Sequence, residues 1–476
     1  MQVKNRIKQA ALIVTIGAVL FTSGCTSATS TAGAKDAYKP VTLTVWRAWD
    51  DADAFSQLIA DYRKLHPNVS IEYRKFRFEE YEKALLQALA EDRGPDIFSL
   101  HNTWMRKYEP LLIDLPDTTK LPTKTVQGTV KKEEIYSFVT NNSFTPAQVR
   151  KNFLEVVSGD VIWKKNVGTD KAPKMAERVW GLPLSMDTLV LYYNKDLLNN
   201  AGIISPATNW VDFAAQVRQL TKVDAASQNI LVSGAALGTA NNITRDFDIL
   251  SLLMMQNLAP MLDENGYASF NKRPPEVAEG VPALGALSYY TQFAAPLFES
   301  YSWNENMPES LDAFINGQTA YFFGYNYHKA TIAGRAPKLR YDVAPVPQVG
   351  ESQKVNYANY WVESVSKKTK NKDYAWDFLQ FMAKEENVVK FLETTKKPTA
   401  LRSVKVINSQ MQDEFLDVFA EQLLTAKSWY KGMNATEAET VFGDMINAVN
   451  KGEFEPEDAI KQAVERINQS IKKRQL

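Results

Sequence analysis

Val41-Thr42-Leu43-Thr44-Val45 runs directly into Trp46-Arg47-Ala48-Trp49-Asp50-Asp51. The alternation of Val41, Leu43 and Val45 with threonines has the two-residue period of a half-buried strand, and the segments after it decide the fold. Phe55, Leu58, Ile59, Tyr62 and Leu65 recur at helical spacing until Pro67 stops the run. Val69, Ile71 and Tyr73 alternate again, and Tyr81, Ala84, Leu85, Ala88 and Leu89 return to the helical period before Gly94-Pro95 breaks it. Ile97 to Leu100 is a third short strand. A strand–helix–strand–helix–strand opening predicts an α/β sheet that takes ligands at the carboxyl ends of its strands.

Further along, the pattern is less even. Residues 114–180 are rich in Lys and Thr, show helical patterning only around Pro146 to Val157, and read as an inserted loop and helix region. Leu189 to Tyr193 is a β-prone apolar run. Trp210, Phe213, Ala214, Val217 and Leu220 predict a helix capped by Thr208 or Asn209. Helices are expected over 245–258, 281–298 and 373–384, and strands over Thr319–Phe323 and Tyr341–Val346. Ala459, Ile460, Ala463, Val464, Ile467 and Ile471 line one face of a terminal amphipathic helix. No repeat of 20 to 50 residues is visible.

Ahead of the first strand stands an export address. Lys4, Arg6 and Lys8 precede the apolar stretch from Ala10 to Phe21, which is too short to span a bilayer and suits a signal peptide. Thr22-Ser23-Gly24-Cys25 then resembles the bacterial lipobox, with Thr22 where a Leu is usual. Residues 1–24 are expected to be a lipoprotein signal peptide, Cys25 the lipid attachment site, and the Ser/Thr/Ala/Gly-rich residues 25–39 a flexible tether. Beyond that address the composition is that of a globular protein. With 55 Lys+Arg against 55 Asp+Glu there is no bulk basic surface for nucleic acid. A single Cys and three scattered His leave no disulfide framework and no metal-ligand spacing.

No catalytic constellation stands out: there is no nucleophile elbow, no Walker loop and no dinucleotide fingerprint. Acidic pairs such as Asp50-Asp51 and Glu79-Glu80 read as solvated surface. The distinctive feature is where aromatic and hydrogen-bonding residues meet. Trp46-Arg47-Ala48-Trp49-Asp50-Asp51 follows the first strand and His101-Asn102-Thr103-Trp104 the third. Tyr325-Asn326-Tyr327-His328 follows the strand at 319–323, and Tyr357-Ala358-Asn359-Tyr360-Trp361 follows a turn and reads as a Tyr-rich loop. Sugars present apolar CH faces bordered by hydroxyls, so rings that stack beside Asp, Asn and Arg point to a carbohydrate. Trp210, Trp376 and Phe378 lie on helical stripes and belong to the core; Trp163, Trp180 and Trp303 are not assigned.

The stretch Leu43–Trp49 with His66-Pro67-Asn68-Val69 resembles the start of family 1 extracellular solute-binding proteins, the sugar receptors of ABC importers. Four further stretches fit in order: Gly94-Pro95-Asp96-Ile97; Gly181-Leu182-Pro183 through Asp187-Thr188 to Tyr192-Tyr193-Asn194-Lys195-Asp196-Leu197; Phe314-Ile315-Asn316-Gly317-Gln318-Thr319-Ala320; and Lys370-Asn371-Lys372 with Ala375-Trp376-Asp377-Phe378-Leu379. Together they cover almost the whole mature chain. Two departures stand out: Tyr357–Trp361 replaces a stretch that is often Gly-rich, and residues 114–180 are longer than usual.

The resemblance implies a two-lobed α/β periplasmic-binding-protein fold with a ligand cleft between lobes joined by hinge crossings. Lobe 1 is expected over 40–184 and 345–398 and lobe 2 over 188–340 and 402–476, with crossings near Met186, Val346 and Lys397-Pro398. Motif position carries ligand binding to Trp46, Trp49 and Asp50, to His101 and Asn102, to Asp187 at the crossing, and to Tyr325 and Asn326. Tyr360, Trp361, Arg402, Asn241, Asn242 and Arg245 complete the candidate set. The implied function is a monomeric, lipid-anchored receptor that hands a sugar, most simply an oligosaccharide, to an ABC permease, without catalysis, metal or cofactor. Two other classes stay open: a receptor for a non-sugar solute such as a polyamine or phosphodiester, and a glycan-degrading or adhesive surface lipoprotein.

Overall fold

The structure, a computed structural model, describes residues 30–224, 226–227, 229–350 and 353–472. The signal-peptide and Cys25 expectations therefore lie outside the described residues. The chain divides into two units, one of residues 1–39 with 122–139 and one of residues 40–121 with 140–476.

The larger unit holds two α/β cores. In the first, the strands Trp361–Val365, Ile97–His101, Val41–Arg47 and Val69–Lys75 lie side by side in that order. The three N-terminal strands run parallel, whereas Trp361–Val365 is antiparallel and sets Trp361 opposite His101. The helices Asp53–Leu65 and Lys372–Met382 deliver Phe55, Leu58, Tyr62, Trp376 and Phe378 into this core. In the second, five strands follow the order Lys222–Val223, Ile230–Ala235, Thr319–Gly324, Val190–Asn194, Tyr341–Ala344. Phe213, Phe247, Trp303, Tyr325 and Phe442 fill it. Asn209, of the two candidate caps, accepts the Asp212 N–H at 2.9 Å and starts the helix Trp210–Leu220.

A third, small sheet of Ala426–Lys427, Asn356–Asn359 and Asp187–Thr188 marks the places where the chain passes from one core to the other. Met186 packs in the first core and Leu189 in the second; Tyr357 packs in the second and Ala358 in the first; Ala426 packs in the first and Trp429 in the second. Of the expected crossings, Met186 sits at the first passage. Val346 lies within the second core, about ten residues before the passage at 357–358, and Leu401, Val406, Ile407 and Leu423 remain in the first core beyond Pro398. The reason is the helix Val404–Gln410, whose Val406 and Ile407 pack in the first core, whereas Phe419 of the helix Leu416–Gln422 packs with Tyr192 and Phe322 of the five-stranded sheet.

Two expectations need correction. Residues 114–180 are not a loop and helix region alone: the strands Thr118–Gln127 and Glu133–Asn142 pair, as do Ile162–Asn166 and Met175–Val179, around the short helices Pro146–Asn152 and Glu155–Val161. Trp163 lies within the second pair and Trp180 directly follows it, their rings 4.8 Å apart and nearly parallel, with the Arg106 guanidinium 4.1 Å over Trp163. Tyr357–Trp361 is not a loop either, but the junction of the strands Asn356–Asn359 and Trp361–Val365.

In the smaller unit, residues expected to be tether lie against the strand Glu133–Asn142. The Thr31 N–H donates to the Tyr136 carbonyl at 2.8 Å, the Tyr136 N–H donates to Ser30 Oγ at 3.1 Å, and the Tyr38 and Tyr136 rings meet edge to face at 5.6 Å.

Candidate functional site

A cavity of about 590 Å³ opens between the two cores, walled by residues of both and floored by the passage at Met186-Asp187 and by Lys397-Pro398. One wall is a row of stacked rings. Phe78 lies 5.8 Å from Trp49, Trp49 lies 5.5 Å from Tyr327, and Tyr327 lies 5.7 Å from Tyr325, all within 27° of parallel. Trp49 belongs to the first core and Tyr327 to the second, so the row bridges the cleft. The other wall is Trp361, edge-on to Trp104 at 5.4 Å and to His101 at 5.7 Å.

Local backbone chemistry aims these rings. After the first strand the chain turns through Asp50 in the left-handed region, at φ 68°. The Tyr73 hydroxyl donates to the carbonyls of Trp49 (3.2 Å) and Asp50 (2.7 Å) and pins that turn. On the second core, Gly324 ends its strand where a Cβ would stand 2.6 Å from the Phe322 ring, which lets the chain turn tightly. The Tyr325 N–H donates to His328 Nδ1 at 2.9 Å, and the turn presents Tyr327 to the cavity.

Every cation on the wall is already compensated. Arg47 donates to Glu363 at 2.5 Å and to Asp50 at 3.0 Å, and Lys397 reaches Asp50 at 2.6 Å. Arg245 holds both oxygens of Asp248, at 2.7 and 2.9 Å, and lies 3.4 Å from Glu439. Burial alone would raise Asp50, but Lys397 and Arg47 hold it below the usual carboxylate range. Burial pushes Glu363 up to about 7 and Asp187 up to about 8, the latter although the Thr188 and Asn326 N–H groups each donate to it at 2.9 Å. Burial also lowers His101 to about 4 and His328 to about 3, so both rings are neutral near pH 7.

Six of the sequence candidates line the cavity: Trp49, His101, Asp187, Arg245, Tyr360 and Trp361. The other eight do not, each for a local reason. Trp46 falls on the opposite side of its strand from the buried Val45 and Arg47 and packs on Phe76 at 4.6 Å. Asp50 lies behind Arg47 and Lys397 as their counter-ion. Asn102 is buried and donates to Asp160 at 3.2 Å. Asn241 is exposed beside Glu305 and Asn447. Asn242 spends its side chain on Thr239, Trp303 and the carbonyls of Asn304 and Met307. Tyr325 is fully buried, its hydroxyl on Asp248 at 2.7 Å. Asn326 contributes its backbone N–H to Asp187. Arg402 is exposed, and its backbone N–H donates to the Asn152 carbonyl.

Several wall residues belong to the same polar–aromatic clusters without being among the candidates: Arg47, Trp104, Tyr327, His328 and Asn359. For Arg47 and Asn359, which end strands, alternation was the available signal, since a residue one place from an inward position faces outward; Trp104, Tyr327 and His328 lie in turns and a helix start, where only membership of the clusters pointed to them. Phe78, Thr244, Thr436 and Glu439 carry no such signal, because only the packing of remote helices brings them to the wall.

The sequence profile described as bacterial extracellular solute-binding protein matches residues 48–389. The maltodextrin-binding protein MdxE of Bacillus subtilis is 25% identical over 312 residues, 62% of this chain and 68% of its own. The galactooligosaccharide-binding protein of the same organism is 20% identical over 396 residues, 82% of this chain and 86% of its own. Among solved structures, the sugar-binding protein MalE from Xanthomonas citri superposes with a TM-score of 0.67 at 18% identity, over 91% of this chain and 98% of its own, and so shares the fold.

Proposed function

The chain belongs to the bacterial extracellular solute-binding protein family, and from that premise we propose that it is an ABC-importer receptor for a neutral carbohydrate held between its two cores. The observation that carries this reading is the pairing of aromatic walls with fully compensated cations. Trp49, Tyr327, Trp104 and Trp361 offer ring faces and edges to sugar CH surfaces. A phosphodiester needs a cation to spare, yet Arg47, Arg245 and Lys397 each have carboxylate partners. A polyamine needs several carboxylates to spare, yet Asp187 is turned to backbone N–H groups, Glu439 to Arg245 and Glu82 to Lys107, which leaves Glu79, exposed at the rim, as the one wall carboxylate with neither an ion pair nor such N–H groups among the described residues. The names of the maltodextrin- and galactooligosaccharide-binding relatives support an oligosaccharide.

The passages at 187–188, 356–359 and 426–427 serve as the hinge on which the lobes close over ligand. Cys25 carries the lipid that holds the receptor at the outer face of the cell membrane. The protein binds and releases without hydrolysis. A thermal-shift screen of mono-, di- and oligosaccharides tests the reading. At a ligand concentration about 100 times Kd, mass action adds about 2.7 kcal/mol, which in a chain of this size moves Tm by on the order of 3 °C. Chromatography must return that sugar uncut. Stabilisation by a phosphate ester or a polyamine alone, or products that grow with protein amount, would replace this reading.

A further inference from the structure

We infer that the distal end of the hairpin Thr118–Gln127/Glu133–Asn142 is a membrane-contact surface for an anionic bilayer. The inference rests on the proposed lipid at Cys25. It explains an insertion that the ligand cavity does not use, since no hairpin residue lines that cavity.

The leash sets the reach. The first described residues dock on this hairpin: Ser30 and Thr31 bond to Tyr136, and Tyr38 and Lys35 close on the Tyr136 ring. Five residue steps separate Cys25 from Ser30, a span of at most ~18 Å even when fully extended. Val130, in the turn, is six residues from Tyr136, roughly 20 Å of extended chain. The anchor and the hairpin end thus reach about equally far from the same docking point, and a lipid at Cys25 brings the turn within reach of the bilayer surface.

The chemistry of the turn suits that position. Val130 is 98% exposed and Val126 54%, in a chain whose other valines mostly pack inside. Lys131 and Lys132 follow directly and form no ion pair among the described residues, whereas Lys124 is neutralised by Glu134 at 2.6 Å. Apolar side chains beside unpaired lysines match an anionic headgroup layer, which takes up the valines and attracts the ammonium groups. Contact so weak for a free protein becomes substantial under tethering, because the leash fixes a high local concentration.

The test uses the lipidated chain in vesicles. Acylation blocks Cys25, so Val130→Cys provides the one free thiol for an environment-sensitive dye. The expected result is dye quenching by headgroup-borne quenchers in vesicles of 70% phosphatidylcholine and 30% phosphatidylglycerol, and weak quenching in phosphatidylcholine alone. Adding Lys131→Gln and Lys132→Gln should lower the bound-to-free ratio of the turn about 30-fold, at unchanged Tm. Equal quenching with and without the two lysines, or quenching that appears only when permease is reconstituted alongside, overturns the inference. A mass for Cys25 without lipid defeats the anchor reading instead. A Cys25→Ser chain held by an N-terminal hexahistidine tag on nickel-chelating lipid then decides the hairpin contact by itself: a quenched dye supports it and a bright one overturns it.

Discussion

Trp361 shows how much a single position carries. Its ring is half-buried, edge-on to Trp104, His101, Phe78 and Tyr81, and still forms part of the cavity wall. Stacking contributes about 1 kcal/mol and buried ring area about another 1–2 kcal/mol, so Trp361→Ala should weaken sugar binding about 30- to 150-fold by calorimetry. Trp46→Ala should leave affinity within about twofold and lower stability instead, because that ring faces Phe76. The reverse result for the pair would move the site. A second residue-level expectation concerns pH. His328 takes up its proton only near pH 3 when folded, against about 6.5 unfolded, because burial, and more weakly the Arg245 charge, disfavours the imidazolium. Between those values the unfolded chain binds the extra proton, so this stability term is complete above pH 6.5 and is lost as pH falls toward 3. His101 acts in the same direction down to about 4. Asp187, raised to about 8, acts oppositely: its term is complete below pH 4 and is lost as pH rises through 8. His328→Asn keeps an acceptor for Tyr325 and should flatten the fall in Tm between pH 6.5 and 4; an unchanged slope would contradict the neutral buried ring.

Among the elements, the helix Glu155–Val161 matters beyond its seven residues. It carries Asp160, which is buried and receives Tyr360 Oη at 2.5 Å, Ser428 Oγ at 2.8 Å, Asn102 Nδ2 at 3.2 Å and the Lys431 ammonium. One carboxylate thereby ties a first-core helix to a cavity-wall tyrosine and to the last passage between the cores. Asp160→Ala leaves those donors and a cation without their acceptor, and should lower unfolding free energy by about 3–5 kcal/mol in a denaturant titration. A loss under 1 kcal/mol would mean that water replaces the carboxylate. The same region shows why elements escape a sequence reading. The distal part of Thr118–Gln127 is exposed on both sides, as is Lys164–Asn166, so no two-residue hydrophobic period marks them. Helices with one buried face, such as Asp53–Leu65 and Trp210–Leu220, announce themselves by that face.

Over the whole molecule, the Trp49–Tyr327 stack joins the two cores, and on the proposed hinge it favours the arrangement in which they meet. A contact of this kind contributes about 0.5–1.5 kcal/mol, so Tyr327→Ala should shift a ligand-free open–closed equilibrium toward open by about 2- to 13-fold. Dyes at Lys83 and Thr331, exposed on helices of the two cores, report it by energy transfer; identical efficiencies in both proteins would deny the stack that role. The features that sequence alone determined arise from local physics. Periodicity specified the α/β class and the core faces of most helices, and polar–aromatic clusters at strand ends marked Trp49, His101, Tyr360 and Trp361 as candidates that the structure places on one cavity. Tertiary structure decided the rest. Strand alternation turned Arg47 inward and Trp46 away, a tight turn exchanged Tyr325 for Tyr327, and full hydrogen bonding withdrew Asn242 into the fold. Phe78, Thr436 and Glu439 reach the wall only through packing. A one-dimensional pattern records which residues are apolar or polar at each turn of chain, but a cavity is where surfaces distant in sequence fail to fill space, and only the packed chain determines where that happens.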